Sequence, residues 1–169
     1  VAAFGVASRI EFFALAVVMA LSSVIGPFVG QNWAAGKKDR VKLGVKYSNR
    51  FSMLWGLGSF IVLAIFRNSL ASLFTSHQEV ISIISLYLLI IPICYGLMGV
   101  LMMCTTVLNI LHKPLHAASI TIIQMVVLYV PLAYLGSYLF GLVGIFTGMS
   151  IAYILSGILS SFVLKRFLD

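Results

Sequence analysis

Long stretches of this chain carry no charge, and that limits its possible folds more than any other feature. An uncharged core runs from Phe12 to Val29, and no Asp, Glu, Lys or Arg falls between Lys113 and Lys165. About 20 consecutive apolar helical residues match the hydrocarbon thickness of a bilayer. The 169 residues are 62% hydrophobic and 9% charged, with mean hydropathy +1.13, whereas soluble domains average roughly 45–50% apolar and about 25% charged. A chain this long could enclose a soluble core, but it lacks the polar residues to cover one. Lipid cannot satisfy backbone polar groups, so the spanning segments must be helices or closed barrel strands. Runs such as Ile81–Ile91 lack the period-2 alternation of barrel strands. The sequence therefore predicts an all-α integral membrane protein. Five transmembrane helices are expected, at about 1–30, 45–66, 80–111, 117–138 and 142–164.

The net charge of +7 would suit a nucleic-acid partner, but the placement of the charges argues otherwise. Lys37, Lys38, Arg40, Lys42, Lys46 and Arg50 share one segment, and Lys165 and Arg166 lie beside the C-terminus. Five crossings put these two groups and the Lys113 turn on one side. An excess of Lys and Arg in short loops marks the cytoplasmic face. The sequence thus predicts a multi-pass protein of the cell membrane with a cytoplasmic C-terminus and no nucleic-acid partner. The basic run from Lys37 to Arg50 is expected to anchor on anionic membrane lipid.

Cys94 and Cys104 lie in one apolar stretch, about 15 Å apart along a helix. That is too far for a disulfide, and the absence of a His/Cys cluster gives no support for zinc. Val1 opens in mid-apolar sequence without an initiator Met or a signal peptide, so the chain is expected to be the tail of something longer. Pro27, Pro92 and Pro131 fall inside predicted helices, where proline removes a hydrogen bond and bends the helix. Gly144, Gly148, Ala152, Ser156 and Ser160 recur at every fourth position of the last segment. Such a ridge lets helices approach closely and is expected to pack within the bundle.

Four motifs in order then resemble one family. Val1–Glu11 reads VAAFGVASRIE, and Gly30–Arg40 reads GQNWAAGKKDR. Leu108–Pro114 reads LNILHKP, and Phe140–Ile145 reads FGLVGI. Together they are similar to segments of the C-terminal half of MATE (multidrug and toxic compound extrusion) transporters. Ala34 stands where that family usually has Gly, and His112 replaces the usual Gly before Lys113. The resemblance implies a twelve-helix protein of two six-helix lobes, with this chain supplying helices eight to twelve, most of the C-terminal lobe. Helix seven and the N-terminal lobe would be missing partners of the same protein. It further implies a secondary antiporter, without cofactor or enzymatic step, that exports organic, often cationic, small molecules in exchange for protons or sodium ions by alternating access. Gly30, Gln31, Asn32, Gly36 and Arg40 would form the family's motif loop.

Several residues are candidates for the cavity or for ion coupling. Glu11 and Arg9 are the only charged residues close to the first span. Two apart on a helix, they do not face each other. Glu11 could accept a proton or attract a cation from a cavity, or both residues could sit at the interface and reach water. Tyr95, Met98, Met102 and Asn109 lie on one stripe of the third segment. That stripe suits an adaptable ligand surface or plain helix packing. Some MATE members carry a carboxylate in this helix; here Tyr95–Gly99 has none, which leaves Glu11 or groups outside the chain to couple the ion. Gln124, the lone amide of the fourth segment, and Tyr129 could line the cavity or bond a neighbouring helix.

Two other functions were weighed against the sequence. A lipid-linked oligosaccharide flippase of the broader superfamily would bring more cationic residues into the cavity than these spans hold. A membrane-embedded enzyme would need an acid partnered with His77, His112 or His116, which are expected in short loops, and Glu79 is the nearest acid. No phosphate-binding glycine loop occurs, so the chain itself gives no basis for ATP-driven pumping.

Overall fold

A computed structural model describes residues 2–168 of the chain; Val1, where the first segment was expected to begin, lies outside the described residues. The elements are α1 (Ala2–Ala34), α2 (Lys38–Ser72), α3 (Gln78–Ile90), a 3-10 turn (Ile91–Cys94) and α4 (Tyr95–Ile110). They are followed by α5 (Pro114–Ile122), a π-helical stretch (Ile123–Tyr129) and α6 (Val130–Leu168).

Among the described residues, four continuous helical runs are long and apolar enough to cross a membrane, where five segments were expected. The difference lies in Pro114–Leu168, which at 55 residues would measure about 80 Å if straight. It is not straight. Gly141, at φ 59° and ψ −133°, turns the chain back on itself through a conformation open only to glycine. The returning arm packs on the first: a Cβ at Gly136 would collide with the Gly144 carbonyl, and one at Gly148 with that of Leu132. The small-residue ridge is therefore a packing surface within the bundle, and its five members are all buried.

Pro92 divides the third predicted segment by inserting the 3-10 turn between α3 and α4. Pro131 acts differently. Its missing N–H leaves the Val127 carbonyl without its α-helical partner, and the helix widens to π just before it. The first connection is shorter than the motif loop expected there. Gly30, Gln31 and Asn32 remain helical, with the Asn32 side-chain amide donating to the Phe28 carbonyl at 2.8 Å. Gly36 turns the chain at φ 70°, and Arg40 already lies in α2. His116, expected in a loop, sits in α5 with its ring 4.8 Å from that of Phe167.

The centre of the bundle is α4. Ten of its sixteen residues are buried, against seven of thirty-five in α2, so α4 is sheathed by protein while α2 presents most of its surface outward. Glycines set the close crossings: Gly56 of α2 lies against the backbone of Gly96, and Gly157 of α6 against the Leu97 carbonyl. Hydroxyl pairs add cross-links, as where Ser22 of α1 and Thr106 of α4 hydrogen-bond at 2.8 Å. The basic regions gather at one end. Lys113 lies over the Phe167 ring at 5.4 Å, and Val41, Leu111, Ala117 and Leu168 share one core cluster there.

Candidate functional site

Away from the basic end, four helices converge on a single acid. Glu11 lies on α1, in the half-buried class, and accepts a hydrogen bond from the Tyr87 hydroxyl of α3. Tyr95, first residue of α4, stands beside the same carboxylate. Its own hydroxyl is buried and has no hydrogen-bond partner. These two tyrosines, eight positions apart, lie on either side of the 3-10 turn that contains Pro92. At the entry of that turn the Ile90 carbonyl accepts the Ser150 hydroxyl of α6 at 3.3 Å. Tyr153, one turn further along α6, meets the Tyr129 ring edge-to-face at 6.0 Å, and buried Gln124 reaches the Tyr153 hydroxyl.

A cavity of about 320 Å³ adjoins this cluster, lined by Phe4, Tyr87, Tyr129, Phe146 and Met149 among others. That is near the lower limit of volumes that hold small ligands. Its walls mix aromatic and aliphatic side chains, with Tyr87 held edge-on between Phe4 and Phe146 at centroid distances of 5.9 and 5.1 Å. Glu11 is thus tied to α3 through a tyrosine hydroxyl. Arg9, by contrast, is exposed.

The family model MatE matches residues 1–135. This chain belongs to the MatE family. A protein of Shewanella oneidensis named "FAD transporter" is 39% identical over 98% of the chain, which spans 37% of that relative's length. The crystal structure of the Vibrio cholerae MATE transporter VcmN in its bent form superposes with a TM-score of 0.95 at 31% identity, over 99% of this chain and 38% of VcmN. A multidrug resistance MATE transporter in its outward-facing conformation shares the fold at 18% identity, TM-score 0.92, over 99% and 38% of the two chains. The relatives that this MatE chain matches are named as transporters. It spans well under half the length of the relatives it matches.

Within this MatE lobe the sequence candidates separate into two groups. Tyr95 stands beside Glu11, with Met98 buried in the same core cluster as Tyr95, and Gln124 lies beside Tyr153. Met102 instead packs against the cluster nearer the basic end, and Asn109 is exposed at the end of α4. The motif residues Gly30, Gln31, Asn32, Gly36 and Arg40 lie at the α1–α2 connection, apart from the Glu11 cluster. Sequence reasoning did not single out Tyr87, Ser150 or Tyr153. Their signal was available, since a hydroxyl in an apolar span must find a partner.

Proposed function

We propose that this chain forms most of the C-terminal lobe of a secondary antiporter in the cell membrane, with Glu11 as its coupling group. The supporting observation is the carboxylate drawn into the bundle and held by Tyr87 beside a partly aromatic cavity. An ionisable group there is costly unless it is partnered, and a group that must exchange its ion needs partners able to release it. Tyr87 donates a hydroxyl, which solvates a carboxylate without neutralising it, and the Tyr95 hydroxyl stands beside them. With a single acid and no group of three His, Cys, Asp or Glu among the described residues, a proton is the better-supported coupling ion, with sodium the alternative. Taking up the proton would free Tyr87 and change how α1 and α3 are tied together. The gathering of Lys113, Lys165 and Arg166 at one end supports a C-terminus facing the cytoplasm.

The substrate on this reading is an organic solute held between this lobe and its N-terminal counterpart. An organic cation fits the lone carboxylate. A flavin dinucleotide is favoured instead by the Shewanella relative's name, and the tyrosine and phenylalanine walls would stack its rings. Inverted vesicles bearing the full-length transporter would separate these cases. A pH gradient and a sodium gradient would be imposed in turn, following a fluorescent cationic dye in one set and FAD in the other. Transport driven by the pH gradient, lost at least tenfold in Glu11→Gln with expression intact, is expected. Undiminished transport in Glu11→Gln would remove Glu11 from the coupling path, and a response to sodium alone would replace the proton.

A further inference from the structure

On the face of the bundle formed by α2, α4 and the 142–168 arm of α6, two cavities run together. One, of about 490 Å³, lies towards the basic end and is lined by Lys42, Lys46, Asn49, Ser161 and Lys165 among others. The other, of about 640 Å³, continues away from that end along Met53, Leu54, Leu97 and Val100. They share Lys46, Asn49 and Ser161. Two pinch points shape the cleft: α2 is drawn onto α4 at Gly56–Gly96, and α6 onto α4 at Gly157–Leu97. From there towards the basic end α4 floors the gap, with Val100 and Cys104 buried beneath it.

We propose that this cleft binds one anionic phospholipid from the leaflet at the basic end. Its phosphate would lie among Lys46, Lys165 and Ser161, with an acyl chain along Met53, Leu54 and Leu97. Four observations support it. Lys42, Lys46, Arg50 and Lys165 line the two cavities and no acidic residue does, among the described residues. The side-chain oxygen of Asn49, which lines both, is buried without a hydrogen-bond partner; a glycerol hydroxyl or ammonium of a headgroup could donate to it. Polarity changes from basic to apolar between Lys46 and Leu54, about 12 Å along α2, the order in which a lipid presents headgroup and chain. Leu54 is 70% exposed, so the apolar half opens sideways, where lipid lies.

Basic pockets between transmembrane helices are suited to anionic headgroups. A soluble phosphate would satisfy the lysines but leave the Met53–Leu54 groove uncovered. A packed helix would cover the groove but bring no anion to Lys46 and Lys165 without burying an acid.

The test is native mass spectrometry of the full-length transporter, titrated with phosphatidylglycerol and with phosphatidylcholine of the same chains. The first phosphatidylglycerol is expected to bind about tenfold more tightly than phosphatidylcholine. Lys46→Gln/Lys165→Gln should bring the two within twofold, while Lys37→Gln/Lys38→Gln, an equal charge loss outside the cleft, should keep the preference. Equal binding of the two lipids to the wild type would overturn the site. So would an equal loss in both variants, which would mean diffuse attraction, or competition by glycerol phosphate as strong as by the lipid. A phosphatidylglycerol bearing a photoreactive acyl chain tests the wild type without any variant. Labelling at residues 53–54 or 97–100 is expected, and labelling only elsewhere would defeat the proposal.

Discussion

The Glu11 cluster and the basic end handle charge in opposite ways. At the first, one carboxylate is brought into the bundle and given a hydroxyl donor from a neighbouring helix, with a second hydroxyl beside it. At the second, Lys37, Lys38, Lys46, Lys113, Lys165 and Arg166 are kept exposed, and two lysines rest on aromatic faces: Lys38 on Trp33 at 5.2 Å and Lys113 on Phe167. Many charges at a membrane boundary require only a long side chain and water. One charge inside requires the helices themselves to be arranged around it. The difference lies in what each kind of charge demands of the helices around it.

The largest expected effect comes from placing an acid where the bundle has made no such arrangement. Val18 lies two turns from Glu11 on the same face of α1 and is fully buried. A Cβ added at Gly99 would stand 2.9 Å from it. Val18→Glu combines overpacking with a charge in the span, at ~3 kcal/mol or more. It should remove most of the monodisperse protein in detergent chromatography, whereas Glu11→Gln should leave that profile unchanged. If Val18→Glu folded normally, the Glu11 surroundings would lose their claim to be special.

Next in size is the hydroxyl itself. Tyr87→Phe keeps the ring between Phe4 and Phe146 but takes the donor from Glu11. A hydrogen bond to a charged group contributes about 1.5–3 kcal/mol, so coupled transport should fall about tenfold or more. Tyr129→Phe, which leaves the ring on Tyr153, should stay within twofold. Equal effects of the two would make Tyr87 a packing residue, whatever Glu11 proved to be.

These residues also mark how far the sequence can be read. The membrane class and the helical fold were legible because uncharged length is a local property, counted along the chain. The segment ends expected at 138 and 142 lie on either side of the turn at Gly141, within a helix that is nominally continuous. Glu11 was legible as the odd charge in an apolar run. Which groups surround it was not, because Tyr87 reaches it from 76 positions away. The Met98–Asn109 stripe shows the same limit: one helical face passes from the Glu11 cluster to the basic end, so a shared face did not mean a shared site. The widening at Ile123–Tyr129 was likewise hidden, since Pro131 announces a disturbance and not its form.

The smallest expected effect tests whether backbone, rather than charge, governs the basic end. His112 occupies the left-handed region at φ 58°, between the Leu111 C-cap of α4 and Lys113 at the head of α5. Non-glycine residues are strained there by about 1–2 kcal/mol, with His and Asn among the better tolerated. His112→Gly would relieve that strain, offset partly by glycine's freedom in the unfolded chain. A net gain of about 0.5–1 kcal/mol is expected, a rise in melting temperature on the order of 2 °C. His112→Asn should stay close to the wild type, and His112→Ala should fall below it. That order, Gly above Asn and His and those above Ala, follows from φ alone. If the imidazole supplied a needed contact or charge at this end, all three variants would drop together, and the division between an arranged interior charge and a loosely held basic rim would have to be redrawn at this turn.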